Sequence, residues 1–333
     1  VSTDGISPIG GGGRNYSDLA MTVRLTIRRP SWRSHVAQTA AQIDGLVPVV
    51  KGNGYGFGRH MLMPVAAELS RYVAVGTVHE LGAAPPNTTE VVLTPAAAPP
   101  PTTNPVLTVG AERDVEALAG WHGQVLLKLQ SSMRRYGCTP SEVAHLTAAA
   151  RNAGLDVIGY SLHLPLAGDE QARSAEADGW LAHLDPTLPV WLSHLQPATF
   201  CALQQSHRAR QFLLRVGTAL WLGDKAMLHL QTRVLHTEPT HAGDVAGYRH
   251  QPITAPGTLV LAGGGSAHGI AALDGGLSPF HFARTRLVML ESPHMHTTML
   301  FVPTGSPTPQ AGDWLDLQRP LIATTVDELR WID

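Results

Sequence analysis

Val47-Pro-Val-Val-Lys51-Gly-Asn-Gly-Tyr55-Gly-Phe-Gly58 decides how the chain is read. An apolar run of strand character ends on a lysine, and glycine then takes every second position from Gly52 to Gly58. In a barrel of alternating strands and helices, catalytic groups stand at the C-terminal ends of the strands, on the loops that follow. A lysine in that place, partly stripped of water, sheds its proton more readily and becomes a nucleophile suited to Schiff-base chemistry. The same residues also fit a surface lysine beside a turn, and spacing alone does not choose between the two.

Outward from this segment the pattern repeats. Short β-rich runs at 47–50, 73–77, 91–94, 106–109, 125–129, 157–162, 190–192 and 212–216 alternate with Ala-rich stretches of helical period, such as 141–153 and 171–184. The first of those helices opens on Thr139-Pro140-Ser141-Glu142, a capping pattern. Eight strands with intervening helices predict an α/β fold of the (β/α)8 barrel type over residues 21–230, with an open doubly wound sheet as the alternative. Beyond Gly223 the texture changes to turn residues and short apolar runs at 258–262, 286–290, 298–302 and 321–324, which predicts a mostly β C-terminal domain over 231–333. The boundary falls near 224–235, and the early run at 22–27 adds a strand to either unit. Residues 1–20, with four consecutive glycines at 10–13, read as a flexible tail.

Charge and composition narrow the function. The 24 basic and 26 acidic residues among 333 leave a net charge of −2, and only 15% of the chain is charged, which argues against a nucleic-acid binder. No apolar run is long enough to span a membrane, and no secretory signal is visible, so a soluble protein of the reducing cytoplasm is expected. Two cysteines, Cys138 and Cys201, exclude a disulfide framework and four-cysteine zinc sites. His294-Met295-His296 has metal-ligand spacing but falls in the expected β domain, and no metal is expected. The basic residues include only three lysines, Lys51, Lys128 and Lys225, so a lysine here is more noteworthy than in an average chain.

The lysine segment resembles the Lys-Ala-Asn-Ala-Tyr-Gly-His-Gly motif of the alanine racemase family, the fold type III pyridoxal-phosphate enzymes. Further motifs follow in order. Lys128-Leu-Gln-Ser-Ser-Met133-Arg-Arg135-Tyr-Gly137 is similar to Lys-Val-Asp-Thr-Gly-Met-x-Arg-x-Gly, and Ser161-Leu-His163 to a Thr-His pair whose imidazole packs on the cofactor ring. Arg215-Val-Gly217-Thr218-Ala-Leu-Trp221 is similar to Arg-x-Gly-Ile-Ala-Leu-Tyr, and Gly243-Asp-Val-Ala-Gly-Tyr248 to the segment that carries the family's catalytic tyrosine. His294-Met295-His296 stands where the family has Cys-Met-Asp.

The resemblance implies a homodimer that binds pyridoxal 5'-phosphate and interconverts L- and D-amino acids. Lys51 then holds the cofactor and moves the Cα proton on one face, and Tyr248 of the partner subunit moves it on the other. Arg215 faces the pyridine nitrogen; Tyr55, Gly217, Thr218 and Ser193 hold the phosphate, with His194 as the alternative to Ser193. Arg135 and the Met295 backbone N–H meet the substrate carboxylate, although Met295 also reads as a core residue of an apolar strand. In relatives the lysine at the Lys128 position is carbamylated in support of the arginine. D-alanine supply to the bacterial cell wall is the family's usual role. Ser266 stands where the family has a gate tyrosine, Gln130 and His296 where it has aspartates, and its C-terminal tyrosine segment is not evident. A widened gate implies a substrate larger than alanine, or a low activity on alanine. The other readings are a different reaction on the same cofactor, such as decarboxylation or aldol cleavage, and a non-catalytic cofactor-binding protein.

Overall fold

Between β1 (Val23–Arg28) and residue 228 the chain alternates helices and strands: α1 (Arg29–Ala41), β2 (Leu46–Pro48), α2 (Arg59–Leu69), β3 (Tyr72–Val75), β4 (Thr89–Val92), β5 (Leu107–Val109), α3 (Glu112–Glu116), β6 (Gln124–Leu129), α4 (Val143–Asn152), β7 (Asp156–Leu162), α5 (Glu170–Leu181), β8 (Val190–Ser193), α6 (Pro197–Ser206), β9 (Phe212–Val216) and α7 (Thr218–Leu222). The computed structural model describes residues 21–333, so the tail expected over 1–20 lies outside the described residues. Two compact units divide the chain. One comprises Ile27–Leu228 with Leu321–Ala323 and Trp331–Asp333; the other comprises His229–Pro320, Thr324–Arg330 and the described residues up to Thr26.

Strands β2 to β9 form the expected barrel rather than an open sheet. Six of them pair in parallel in the order β2-β9-β8-β7-β6-β5, and β3 pairs with β4. Parallel bridges Val49↔Ala74 and Val91↔Val106 join that pair to β2 on one side and to β5 on the other. Val50 N–H donates to Ala74 O and Val92 N–H to Val106 O, each at 2.8 Å, so all eight strands are linked in a ring.

Alternation along each strand decides what faces the barrel axis. Val47, Val49, Ala74, Val91, Val106, Leu126, Trp191 and Leu213 fill the interior as one buried cluster. Each fully buried side chain of this size contributes roughly 1.5–3 kcal/mol. Two residues further along the same inward-facing rows come Lys51 after Val49, Lys128 after Leu126, Ser193 after Trp191 and Arg215 after Leu213. In register across the sheet, Lys128 pairs with Ser161 and Ser193 with Arg215. The apolar interior therefore gives way to a polar tier where the strands end.

Helix α1 carries Pro30 in its first turn, which its fixed φ suits, and buries Trp32 and Val36 four residues apart. Trp32 donates from Nε1 to Trp221 O at 3.1 Å, and Trp221 from Nε1 to Val49 O at 2.8 Å. With Phe57 and Trp331 these indoles form an aromatic cluster, ring centroids 5.3–6.3 Å apart, behind the lysine loop. Before α4, the expected cap forms: Glu142 accepts from Thr139 N–H at 2.7 Å and Thr139 Oγ1–H at 2.8 Å.

The second unit is built on β10 (Leu228–Thr240), which pairs antiparallel with β13 (Gly257–Ala262) and β18 (Trp314–Leu317). β17 (Thr298–Pro303) continues the sheet between β13 and β16 (Val288–Met289), β14 (Phe280–Phe282) lies between β18 and β15 (Thr285–Arg286), and β1 pairs with β10 and with β19 (Glu328–Ile332). A separate hairpin joins β11 (Val245–Ala246) to β12 (Gln251–Pro252). The run at 321–324, read above as a strand, is instead a 3-10 turn, Leu321–Ala323, that packs with the barrel unit. It follows Pro320, and the carbonyl of Leu321 accepts from Asn53 Nδ2 at 2.8 Å rather than from a strand partner.

Candidate active site

The strand ends open into a cavity of about 990 Å³ whose lining includes Lys51, Tyr55, His163, Ser193, Arg215 and Gly217. Thr218 and His194 line it as well, so eight residues that the sequence singled out converge in one place, and Glu80 joins them.

Arg215 forms the floor. It is buried, and four of its five N–H groups are directed into the barrel wall: Nε to Leu192 O at 3.2 Å, Nη1 to Ser161 Oγ at 3.0 Å, Nη2 to Leu162 O at 2.7 Å and Trp191 O at 3.3 Å. Burial, then the nearby Arg135, lowers its pKa to about 10, so it remains a cation near neutrality. His163 is driven the other way from charge. Burial first, then the Arg215, Lys128, His194 and Arg135 charges, pushes the imidazole down to about 2, leaving a neutral ring. Its Nδ1 lies 2.8 Å from Ser193 Oγ, and its ring centroid 4.6 Å from that of His194.

Lys51 stands at the mouth, open to solvent on one side and crowded by barrel atoms on the other. Partial loss of hydration, then Arg135 and Arg215, lowers its pKa, while Glu80 acts in the opposite direction. Lys128 is buried beneath, and burial with Arg215 and Arg135 brings it down to about 6. Arg135 is exposed on the loop after β6, yet its charge acts on Lys51, Lys128, His163 and Arg215 alike, which sets it over the same site.

Tyr55 is buried in the left-handed conformation, φ 56°, within the 3-10 turn Gly54–Gly56. Burial, then Glu80, raises its phenol to about 12, so it stays protonated and can donate. The hydroxyl points at Gly217: a Cβ there would fall 2.0 Å from Tyr55 Oη. Gly217 precedes α7, whose first N–H groups lack helical partners, as at any helix start. A phenolic donor, a glycine floor and free backbone N–H groups are a donor set suited to an oxyanion such as phosphate.

Glu80 was not singled out from the sequence. Its carboxylate accepts from Gly52 N–H at 3.0 Å and Gly76 N–H at 2.7 Å, tying the lysine loop to the end of β3. A lone Glu in a polar turn carries no signal of this. Ser193 was expected at a phosphate; the structure directs its hydroxyl to His163.

Tyr248 and Met295 belong to the other unit. Tyr248 sits on the β11–β12 turn and is 85% exposed; Met295 is 67% exposed in a bend before β17, so it is not a core strand residue. Glu291 organises this surface by accepting from Tyr248 N–H at 2.9 Å, Arg249 N–H at 3.2 Å and His294 Nε2 at 2.5 Å. These bonds, that from His294 foremost, hold its carboxyl below the usual range. The rings of Tyr248 and His294 lie 4.4 Å apart.

Solved structures share this architecture. Alanine racemase from Bartonella henselae, described with covalently bound pyridoxal phosphate, matches with a TM-score of 0.72 at 18% identity, over 93% of this chain and 99% of that one. Alanine racemase from the D-cycloserine producer Streptomyces lavendulae matches with a TM-score of 0.65 at 18% identity, over 94% and 97%. That from E. faecalis matches with 0.65 at 19% identity, over 93% and 91%. At such identities the likeness concerns the fold. No curated protein matches the chain. Among the described residues no helix is long and apolar enough to cross a membrane. The family model for the alanine racemase N-terminal domain matches residues 31–224, more than half of the chain and nearly all of the barrel, and the chain belongs to the alanine racemase family.

Proposed function

We propose that the protein is a pyridoxal-phosphate-dependent amino-acid racemase acting as a homodimer in the cytoplasm, with a small amino acid as substrate. The observation that carries the reading is the convergence of Lys51, Tyr55, His163, Arg215 and Gly217 on one cavity at the strand ends. These residues fit the cofactor: an amine with lowered proton affinity, a buried cation, a neutral ring, and a phenol above a glycine floor. When bound, the cofactor supplies an aldehyde for amines and an electron sink for the bond at Cα.

Tyr55 Oη and the N–H groups that open α7 would hold the phosphate. Arg215 would lie toward the ring nitrogen and, because a guanidinium keeps its proton, would leave that nitrogen unprotonated. His163, neutral and pinned by Ser193, would supply a flat neutral surface for the ring. Lys51 Nζ takes or returns the Cα proton on one face, and the phenol of Tyr248 of the partner subunit does so on the other. Two bases on opposite faces are what racemisation requires. Arg135 and the Met295 N–H orient the substrate carboxylate. The exposure of Tyr248 and Met295 supports a role at a surface that another subunit completes.

An absorbance spectrum with pyridoxal phosphate, before and after borohydride, tests cofactor attachment; chiral chromatography with alanine and larger amino acids tests the reaction. A covalent chromophore lost in Lys51→Ala, and D-product lost in Tyr248→Phe, support the reading. Cofactor bound without enantiomer formed shifts it to a different reaction or a carrier. Ser266 in the gate favours a side chain larger than a methyl, and a strong preference for alanine would sink that part.

A further inference from the structure

Glu80 and Glu170 are the carboxylates among the cavity-lining residues. Glu170 is matched by the Arg173 guanidinium at 2.5 Å. Glu80 is held differently. Both its oxygens accept backbone N–H groups, Gly52 on the lysine loop and Gly76 at the end of β3, and it belongs to the short turn Val78–Glu80. Its charge therefore has a fixed seat, set by two main-chain bonds, and among the described residues it is in direct contact with no guanidinium.

We propose that Glu80 is a positioning residue for Lys51, a carboxylate clamped between two strand ends that both fixes the start of the lysine loop and supplies the negative charge balancing the cations around the amine. The inference rests on the reading of Lys51 as the cofactor lysine. Apart from the Glu170–Arg173 pair on α5, which neutralises itself, the other described elements around the amine contribute cationic or neutral groups. Tyr55 and Arg59 come from its own loop, Lys128 and Arg135 from β6 and the loop after it, His163 from β7, His194 from β8, and Arg215 from β9. Arg59 is turned to the Gly52 carbonyl at 3.0 Å, on the main-chain group adjoining the N–H that Glu80 holds. Arg135 and Arg215 depress the amine's proton affinity, and Glu80 offsets them. The balance has a chemical purpose. An amine too weakly basic attacks a carbonyl readily but cannot take a proton from carbon, and one too strongly basic stays protonated and attacks nothing. A carboxylate out of contact range tunes the amine without forming an ion pair that would lock it.

With three lysines in the chain, the amine can be followed directly. The full-length protein, cleared of carbonyl compounds with hydroxylamine, is trace-methylated with formaldehyde and cyanoborohydride across a pH series, and the labelled lysines are quantified by peptide mass spectrometry. Exposed Lys225 is the internal reference. In Glu80→Gln the Lys51 midpoint falls by roughly 0.5–1 pH unit relative to wild type, with Lys225 unmoved; Glu80→Asp, which keeps the charge, recovers most of that shift. Should Glu80→Gln not fold, Gly76→Ala serves, because its Cβ would lie 3.0 Å from Glu80 Oε2 and crowd the carboxylate on its seat; a downward shift smaller than that of Glu80→Gln is expected. An unmoved or raised Lys51 midpoint, or an equal shift at Lys225, overturns the proposal. The readout needs neither cofactor nor turnover. A missing D-product would therefore sink the racemase reading alone, and an unmoved midpoint would sink this one alone.

Discussion

Ser193 Oγ lies 2.8 Å from Nδ1 of His163, and the bond joins two strands of the barrel wall, β8 and the end of β7. Because the imidazole is kept neutral by burial and by surrounding positive charge, Nδ1 is free to accept and the serine hydroxyl to donate. The hydroxyl thereby fixes the plane of a ring set in the cavity wall.

Ser193→Ala leaves a largely buried ring nitrogen without its partner, at a cost of about 1–3 kcal/mol. Expected are a lower unfolding midpoint and weaker cofactor binding, with recovery in Ser193→Thr. Nitrogen NMR of the His163 ring supplies the specific test. In the wild type its signals stay those of a neutral ring down to acidic pH, and a ring that titrates near the usual histidine value would contradict the electrostatics described.

Gly217 and Tyr55 form a second coupled pair. A Cβ at Gly217 would lie 2.0 Å from Tyr55 Oη and 2.7 Å from Cζ, so Gly217→Ala must push the phenol aside, with an overpacking cost of about 1–3 kcal/mol. Cofactor affinity is expected to fall by about tenfold or more, equivalent to about 1.4 kcal/mol. Combining it with Tyr55→Phe removes the closer clash and restores part of the stability but not the affinity. Titration of cofactor against single and double variants checks this, and independent, additive losses would refute the coupling.

The barrel was legible because its strands are short and apolar and alternate with helical stretches, and Lys51 arrives just where the first of them ends. Lys51 was legible for the same reason, whereas Lys128 and Arg215 were legible through their resemblance to family motifs. Other features depend on contacts that are distant in sequence. Glu80 reaches Gly52, 28 positions away, and nothing near it announces that. The run 321–324 is as apolar as a strand, but its partner is the lysine loop rather than a neighbouring strand. Strand β10, the longest of the described elements in its unit, was hidden at the expected boundary. Its polar residues His229, Arg233 and His236 alternate with buried Leu230 and Val234, a one-sided pattern too irregular to stand out.

Lys128 predicts how stability depends on pH. Burial, then Arg215 and Arg135, holds its pKa at about 6 in the folded protein, against an ordinary value of 10.5. Between these values the unfolded chain binds a proton that the folded chain does not, so the contribution of this group makes stability rise with pH. Below about 6 both states are protonated and its cost is constant. Lys128→Met removes the term. The urea midpoint of the wild type should therefore climb more steeply than the variant's between about pH 7 and about pH 9, and the variant should be the more stable at the lower end. Parallel slopes would mean that the amine is solvated or chemically modified.

Asn53 links the lysine loop to the returning turn Leu321–Ala323. Its Oδ1 accepts from Gly56 N–H at 3.3 Å, and its Nδ2 donates to Leu321 O at 2.8 Å. Leu321 also packs over Gly56, where a Cβ would meet its side chain at 3.0 Å. Ile322, 58% exposed, consequently forms part of the cavity lining. Asn53→Asp keeps the acceptor for Gly56 but turns a carboxylate toward a carbonyl oxygen, and so breaks the link to the turn. Expected are faster hydrogen exchange and proteolysis at residues 321–323, little change in the barrel's unfolding midpoint, and an altered preference among substrate side chains if Ile322 bounds the space they enter. Asn53→Ala should additionally loosen the Gly54–Gly56 turn and lower cofactor affinity, because Tyr55 is carried on it. If both variants protect residues 321–323 as well as the wild type does, the turn is held by packing on Gly56 alone, and the asparagine serves only its own loop.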